Sequence, residues 1–278
     1  MLPINGTKLL LSNSIKEINQ KPFFSFQKDS YLPFSLYQEL KESFPDKSFF
    51  NPVSIYGKAT FNSDHDHDQD NFNKFCQANP VWDDYIQFFR SSEFLDDAFE
   101  FLKKPIKMAR GKDDEKRWIL ANSDSLDNSS SDVIPIDVGF EFSMLSGGAQ
   151  LPPHTDAERK IFSLLLYFAD EDWKPEYGGG LEFFHPKNFI DQWNFENRKI
   201  PFDSLEKIGT IPFTANRFLG FVKSGNSYHG LRPLKCPSGM YRKSLNINIV
   251  DTSYEIKNTF LRRVRMRFRP KINTQQLY

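Results

Sequence analysis

The chain has 278 residues, and its 36 Lys and Arg residues balance its 36 Asp and Glu residues, so the formal net charge is zero. A neutral chain gives no electrostatic reason to expect nucleic acid or an anionic membrane as its partner. Hydrophobic residues make up 39% of the sequence and 29 residues are Phe, a composition that excludes overall disorder.

The targeting and redox signals are few. No stretch reaches the roughly 20 apolar residues of a membrane span. The segment before Leu9-Leu10-Leu11 is not basic, and that apolar run is too short for a signal peptide. Cys76 and Cys236 lack the spacing of a disulfide framework or a zinc site. The sequence therefore predicts a cytoplasmic protein with free thiols.

The N-terminal part, residues 1–133, is expected to supply helices and supporting strands. Residues 22–26 predict a strand, and the helical spacing of Leu36, Leu40 and Phe44 predicts a helix that Pro45 ends. The polar composition of residues 62–73 predicts a loop.

Two further segments complete this part. A stripe of apolar residues over 82–102 predicts one long helix that packs on a sheet. Residues 111–132 are rich in Asp, Ser, Asn and Lys, which predicts a mobile surface loop with a brief ordered piece at 118–120.

From residue 134 the pattern changes to short apolar runs separated by Gly and Pro. This pattern predicts a β-sandwich or barrel. The predicted strands cover residues 136–145, 161–169, 181–184, 218–222 and 244–250.

Candidate metal ligands follow two of these segments. His154 and Asp156 lie two residues apart, so on extended backbone both side chains would point the same way. His229 follows a later strand. Two imidazoles and one carboxylate leave coordination positions open, which suits non-haem iron(II). The His-x-Asp fragment alone is common by chance, and a histidine hydrogen-bonded for structural reasons is the alternative.

The next strand has one polar face. With a period of two residues, Arg242, Ser244, Asn246 and Asn248 share a face opposite aliphatic side chains. An arginine there could bind a carboxylate through two parallel hydrogen bonds, and Ser244 could add a third. A solvated edge strand would also alternate and is the alternative.

The order of these motifs resembles the 2-oxoglutarate/iron(II) oxygenase superfamily, and within it the prolyl-hydroxylase-like branch. The matching segments span roughly residues 20–250. They include Gln150–Asp156, Phe162–Phe168, Gly178–Phe183, Asn216–Phe221, Ser227–Gly230 and the Arg-x-Ser of Arg242 and Ser244.

The resemblance implies a mainly β fold with flanking helices and a double-stranded β-helix (jelly roll) core over residues 134–252. One oxygenase domain would then cover residues 1–278, with a basic C-terminal extension over 253–278. The resemblance places iron on His154, Asp156 and His229. It places 2-oxoglutarate on Arg242, with Ser244 and Tyr167 as helpers. Lys235 is a minor rival for that carboxylate, because Arg242 lies farther from His229 than in prolyl hydroxylases.

The implied reaction is the hydroxylation of an unactivated C–H bond with Fe(II), 2-oxoglutarate and O2, releasing succinate and CO2, with ascorbate as a possible support. Halogenases of the superfamily lack the carboxylate ligand, so Asp156 favours hydroxylation. Desaturation and other oxidative outcomes stay open. Two other classes also stay open, namely a non-catalytic jelly-roll binding module and a metal hydrolase that uses the same His/Asp/His site.

The sequence predicts a small-molecule or peptidyl substrate without naming it, and it leaves the oligomeric state open. Asn246, Asn248 and His185 are possible substrate contacts, although His185 is better explained as structural. Residues Asp64–Asp68 could bind a metal, but a solvated acidic loop is favoured. Residues Arg262–Arg269 fit an amphipathic edge strand better than a patch for an acidic partner.

Overall fold

The structure, a computed structural model, describes residues 6–63, 68–110, 116–122 and 132–254. The acidic and histidine-rich residues 64–67 and the basic segment Arg262–Arg269 lie outside the described residues. The predictions made for them therefore stay predictions.

Six α-helices lie in the described N-terminal part of the chain. Their bounds are α1 Gly6–Leu9, α2 Leu11–Ser14, α3 Phe34–Glu42, α4 Gln69–Ala78, α5 Pro80–Arg90 and α6 Ser92–Arg110. None of the helices in the described ranges combines the length and the apolar character needed to cross a bilayer.

Twelve strands and three short 3-10 helices, at Lys47–Phe49, Pro175–Tyr177 and Phe202–Ser204, make up the rest of the regular structure in the described ranges. The strands are as follows. Their bounds are β1 Ile18–Asn19, β2 Ser25–Lys28, β3 Lys58–Asn62, β4 Arg117–Leu120, β5 Val133–Leu145, β6 Leu151–His154, β7 Lys160–Phe168, β8 Leu181–Pro186, β9 Leu205–Ile211, β10 Phe218–Val222, β11 His229–Leu231 and β12 Arg242–Asp251.

The strands form two sheets. The larger sheet has the order β1-β2-β10-β7-β12-β5-β3, with β4 added beside β5, and the smaller sheet has the order β6-β11-β8-β9. All pairings are antiparallel except that of β4 with β5. The chain is therefore mainly β with several helices, as the sequence predicts.

Strand β12 has one apolar and one polar face because its residues alternate with a period of two. Leu245, Ile247 and Ile249 are fully buried and belong to the core that the sheet shares with the helices. At the centre of that core, the ring of Phe142 packs edge-on against that of Trp82, with 4.7 Å between their centroids. The other face of β12 carries Arg242 and looks toward the smaller sheet, since its guanidinium donates to the carbonyl of Gly179 just before β8.

Two predictions for the N-terminal part are wrong. The stretch 82–102 is not one helix, because Ser91 adopts extended backbone between α5 and α6. The hydroxyl oxygen of Ser91 accepts a hydrogen bond from the N–H of Phe94. The predicted loop 62–73 runs into α4, which begins at Gln69. This helix buries Phe72, Phe75 and Cys76 at helical spacing, a short apolar stripe that the polar composition around it obscures.

The strand predicted over 22–26 begins only at Ser25, within β2. The helix predicted around Leu36 and Leu40 is α3, and the brief ordered piece at 118–120 is β4. Each of the five strands predicted from residue 134 onward has a counterpart, in β5, β7, β8, β10 and β12.

Candidate functional site

The three candidate metal ligands meet at the edge of the smaller sheet. His154 ends β6 and His229 begins β11, and the two residues are direct partners across this antiparallel pair. Asp156 lies two residues beyond His154. One potential ligand atom from each residue lies within 4.8 Å of the others, and all three residues are buried.

Asp156 reaches the cluster by a different route from the one the sequence predicts. The strand ends at His154, so Asp156 is not on extended backbone. Its φ of 68° lies in the left-handed region, which Asp tolerates better than most residues. The turn at Asp156, and not the period of a strand, directs its carboxylate between the two imidazoles.

Backbone carbonyls fix the orientation of both imidazoles. Nδ1 of His154 lies 2.9 Å from the carbonyl oxygen of Pro152, and Nδ1 of His229 lies 2.9 Å from that of Ser227. Each Nδ1 therefore carries the proton and donates it, which leaves each Nε2 with a free lone pair. These Nε2 atoms lie 3.6 Å and 3.7 Å from the carboxylate oxygens of Asp156.

The charges of the cluster suit a cation. Burial lowers the pKa of His229 to about 3 and also lowers the pKa of His154. Burial alone would raise the pKa of Asp156, but the ammonium of Lys160 and the two imidazoles hold that pKa well below its usual value. At neutral pH the site therefore offers two neutral imidazoles and one carboxylate, the protonation states that metal binding needs.

The donor set fits iron(II). Two imidazole nitrogens and one carboxylate oxygen on one side of an ion leave the remaining positions open, and this is the facial arrangement of non-haem iron oxygenases. The ring of Phe221 closes one side, with 4.5 Å between its centroid and that of His229. The residues that could hold the metal are therefore His154, Asp156 and His229.

Arg242 is buried, with only 3% of it exposed, and it packs against Tyr167. Tyr167 belongs to the same apolar cluster as Phe221, whose ring lies beside His229. Its Nε donates to the carbonyl of Gly179 at 2.6 Å and its Nη1 donates to Ser244 Oγ at 3.2 Å. The guanidinium carbon lies 4.7 Å from the centre of the Tyr167 ring. In the described part of the chain, no carboxylate lies within ion-pair distance of Arg242.

Two hydroxyl groups near Arg242 are buried without hydrogen bonds. Tyr167, Ser244 and Ser143 are direct partners across three neighbouring strands, so their side chains share a face. Tyr167 Oη and Ser143 Oγ have no hydrogen bond of ordinary geometry to the described residues. Burial raises the pKa of Tyr167, with Arg242 opposing that shift, so the phenol is a neutral donor at pH 7.

A buried cation without an anion is costly, as is a buried hydroxyl without a partner. Together, Arg242 and the two hydroxyls form a buried group of donors that lacks an anionic acceptor, and a carboxylate of 2-oxoglutarate has the chemistry to satisfy all three. Lys235, the rival position, is exposed.

The structure also places the possible substrate contacts. Asn246 donates to a carboxylate oxygen of Glu141 at 2.5 Å. Ser163 Oγ lies 3.3 Å from Asp156 Oδ2 and 3.3 Å from Asn248 Oδ1, so Asn248 is one side chain removed from the triad. His185 is exposed on β8, and in the described ranges no hydrogen bond or ring contact joins it to the site.

The sequence reasoning missed four charged residues near the triad. Glu141 forms an ion pair with Lys58, Lys160 Nζ lies 3.2 Å from Asp156 Oδ1, and Lys199 interacts electrostatically with both carboxylates. Glu141 could have been found, because it alternates with Phe140 and Phe142 in a predicted strand. The lysines carry no local signal, since tertiary structure alone brings them together.

Comparison with known proteins gives the family. Residues 140–250 match the family model described as the 2OG-Fe(II) oxygenase superfamily. This part of the chain belongs to that superfamily. The superfamily uses Fe(II), 2-oxoglutarate and O2, so the comparison confirms the predicted enzyme class and cofactors. No curated protein matches the sequence.

Many solved structures resemble the chain at low sequence identity. A prolyl-4-hydroxylase from Pseudomonas putida is 18% identical, with 82% of this chain and 92% of that chain covered and a TM-score of 0.43. A prolyl hydroxylase from Trichoplax adhaerens, in complex with a hypoxia inducible factor peptide fragment, is 13% identical over 82% and 83% of the chains, with a TM-score of 0.41.

HygX from Streptomyces hygroscopicus, solved with nickel and 2-oxoglutarate bound, is 10% identical over 83% of this chain and 84% of that chain, with a TM-score of 0.45. Likenesses of this size add nothing to the assignment of individual residues, which rests on the site itself.

Proposed function

We propose that this oxygenase hydroxylates a C–H bond of a small molecule or a peptidyl residue, with iron(II) held by His154, Asp156 and His229 and with 2-oxoglutarate held by Arg242. One observation carries the proposal. A buried guanidinium without a carboxylate partner lies with two buried hydroxyls that lack a hydrogen bond of ordinary geometry, and an apolar cluster that includes Phe221 connects this group to the buried His/Asp/His cluster. The triad could serve several metals, but the Arg242 pocket calls for an anionic cosubstrate as well.

Each residue then has a defined task. When bound, iron(II) supplies the redox chemistry that couples the oxidative decarboxylation of 2-oxoglutarate to succinate and CO2 with the oxidation of a substrate C–H bond. The carbonyls of Pro152 and Ser227 hold the two imidazoles in the ligating tautomer. Arg242 binds the distal carboxylate of 2-oxoglutarate, and Ser244 and Tyr167 donate hydrogen bonds to it.

The retained carboxylate supports hydroxylation as the outcome. Asp156 occupies the position that is vacant in halogenases of the superfamily, so the site has no evident place for a chloride ligand. A metal hydrolase with the same triad would leave the buried charge of Arg242 without a purpose. A non-catalytic binding module would have no need for three buried ligands in the correct protonation states.

The proposed architecture is a double-stranded β-helix. The face of the larger sheet that carries Arg242 meets the smaller sheet, and the candidate ligands and Arg242 lie between them. This supports a jelly-roll core within one oxygenase domain. The single-domain boundaries 1–278 and the cytoplasmic location stay predictions from the sequence.

Succinate release tests this function. The protein is incubated with iron(II), ascorbate and 2-oxoglutarate, and slow turnover without a primary substrate is measured alongside turnover with a panel of amino acids and peptides. We expect release from the wild type and from His185→Ala, which removes an exposed histidine, but none from His154→Ala. A wild type that neither retains iron nor releases succinate under any condition would contradict the proposal.

A further inference from the structure

Three lysines lie near Asp156 or near Glu141 of β5, and we name Lys58, Lys160 and Lys199 the lysine cluster. Lys58 is ion-paired with Glu141, and Lys160 Nζ lies 3.2 Å from Asp156 Oδ1. The electrostatic influence of Lys199 reaches both of these carboxylates and the imidazole of His154. Three ammonium groups therefore share two carboxylates, and one of those carboxylates is a candidate metal ligand.

Lys199 is the member of the cluster without a direct partner. Among the described residues, no carboxylate lies within ion-pair distance of its ammonium, and no hydrogen bond from it is present. The side chain is nevertheless partly buried, and burial lowers the pKa of Lys199 to about 8. Partial burial of an ammonium costs free energy, and in the free protein no ion pair of Lys199 offsets that cost.

The backbone around Lys199 is held next to β6, the strand that ends at His154. The N–H of the following residue, Ile200, donates to the carbonyl of Pro153 in β6 at 2.9 Å. Thr155, between two candidate ligands, donates its hydroxyl to the carbonyl of Asn194 at 2.5 Å. The amide of Asn194 in turn donates to the carbonyl of Arg198 at 2.8 Å. This segment is therefore preorganised beside the site, which reduces the entropy cost of binding through Lys199.

Lys199 and Arg242 lie on opposite flanks of the triad. β6 is the edge strand of the smaller sheet, and the segment that contains Lys199 lies along that edge. Arg242 contacts Gly179, just before β8, which is separated from β6 by β11. From the segment that contains Lys199, across β6 and β11, to β8 there are thus three strand spacings, roughly 14 Å. A ligand at Lys199 would therefore approach the triad from the flank opposite to a ligand at Arg242.

We propose that Lys199, with Lys58 and Lys160 beside it, binds an anionic group of the primary substrate, either a carboxylate or a phosphate ester. This inference rests on the proposed function, because it assigns the substrate side of the same site. An anionic group at Lys199 would pair the one ammonium of the cluster that lacks a partner. It would also anchor the substrate on the flank of the triad away from 2-oxoglutarate.

Paramagnetic line broadening tests the proposal without turnover. The protein is loaded with Mn(II) and saturating 2-oxoglutarate in the absence of oxygen, so that Arg242 is occupied. Methyl phosphate, followed by phosphorus NMR, and acetate, followed by carbon NMR, are then titrated separately. Mn(II) broadens the signal of a probe that binds near it, and the concentration dependence gives the Kd.

We expect saturable broadening with at least one probe in the wild type. In Lys199→Gln the Kd for that probe should rise about tenfold, equivalent to ~1.4 kcal/mol. Lys199→Arg keeps the charge and should stay within about threefold of the wild type. Lys187→Gln is the matched control, because Lys187 lies in the same connection but is exposed and donates to the carbonyl of Asp203.

Each outcome gives a decision. A response to methyl phosphate alone assigns a phosphate ester, and a response to acetate alone assigns a carboxylate. Equal Kd values in the wild type and Lys199→Gln, or no saturable broadening in a wild type that binds Mn(II) and 2-oxoglutarate, would overturn the lysine proposal and leave the proposed function intact. If Mn(II) fails to bind, the proposed function fails first. In that case the stabilisation of the metal-free protein by each probe is measured instead. A stabilisation that is lost in Lys199→Gln supports the role of Lys199, and one that is unchanged in this variant overturns it.

Discussion

Replacing Arg242 by Met should have opposite effects on two properties of the protein. Met is shorter than Arg but has a similar volume and is apolar, so the substitution removes the charge without leaving a large cavity. In the free protein Arg242 is 3% exposed and hydrogen-bonds only neutral oxygens, those of Gly179 and Ser244. The guanidinium is therefore a buried cation whose proposed partner arrives only with 2-oxoglutarate.

The magnitude follows from that burial. Removing one partner of a buried, hydrogen-bonded charge pair costs about 2–5 kcal/mol of binding energy. A loss of about 3 kcal/mol corresponds to a Kd for 2-oxoglutarate that is roughly 150-fold higher. The free energy of unfolding of the free protein should change by less than about 1 kcal/mol, or even increase, because an apolar residue replaces an uncompensated buried charge.

Two titrations measure these effects. Anaerobic titration of the iron(II)-loaded protein gives the Kd of 2-oxoglutarate, and urea denaturation gives the free energy of unfolding. Arg242→Lys is the matched variant, because it keeps the charge but loses the planar fork, and its Kd should rise by about tenfold. Iron affinity should be unchanged in both variants. An unaltered Kd in Arg242→Met, together with a large loss of stability, would refute a cosubstrate role and show that Arg242 is structural.

Three other predictions concern the metal, the pH dependence and the core. His229→Ala should abolish iron retention, measured by metal analysis after gel filtration, whereas a variant that keeps stoichiometric iron would contradict the ligand assignment. In the metal-free protein the pKa of His229 is about 3, against an ordinary 6.5. The unfolded chain therefore binds the proton more readily, and the thermal midpoint should fall as pH drops below about 6.5. His229→Asn should weaken that fall, and an identical pH profile would count against the buried neutral imidazole. Phe142→Ala should lower the free energy of unfolding by about 3–5 kcal/mol, because it empties a fully buried aromatic site. The exposed Phe189→Ala should change it by less than about 0.5 kcal/mol, and equal urea midpoints for the two variants would contradict the core assignment.

The sequence predicts the β-rich part of this fold well because its strands follow simple alternation. In β12, the same period that buries Leu245 and Ile247 also gathers Arg242 and Ser244 on the opposite face. Local composition is a weaker guide to the helices. It favours a loop where Phe72 and Phe75 form the buried stripe of α4, and it misses the break at Ser91.

Only part of the candidate site could be predicted from the sequence. The triad and Arg242 stand out in the sequence because each lies in a motif that resembles a known family. The cluster of Lys58, Lys160 and Lys199 does not, because its members come from separate strands and a connection, and only the packing of the two sheets brings them together. The left-handed turn at Asp156 is also hidden, because the residue type alone does not fix the backbone conformation.

The central claim is that one site binds iron(II) at His154, Asp156 and His229 and 2-oxoglutarate at Arg242. Visible absorption of the anaerobic protein with iron(II) and 2-oxoglutarate tests it most directly, because chelation of the metal by the keto acid gives a weak charge-transfer band. The wild type should develop this band with saturation at one equivalent of iron, and His154→Ala should not. A wild-type protein that binds iron but stays colourless with excess 2-oxoglutarate would contradict the claim.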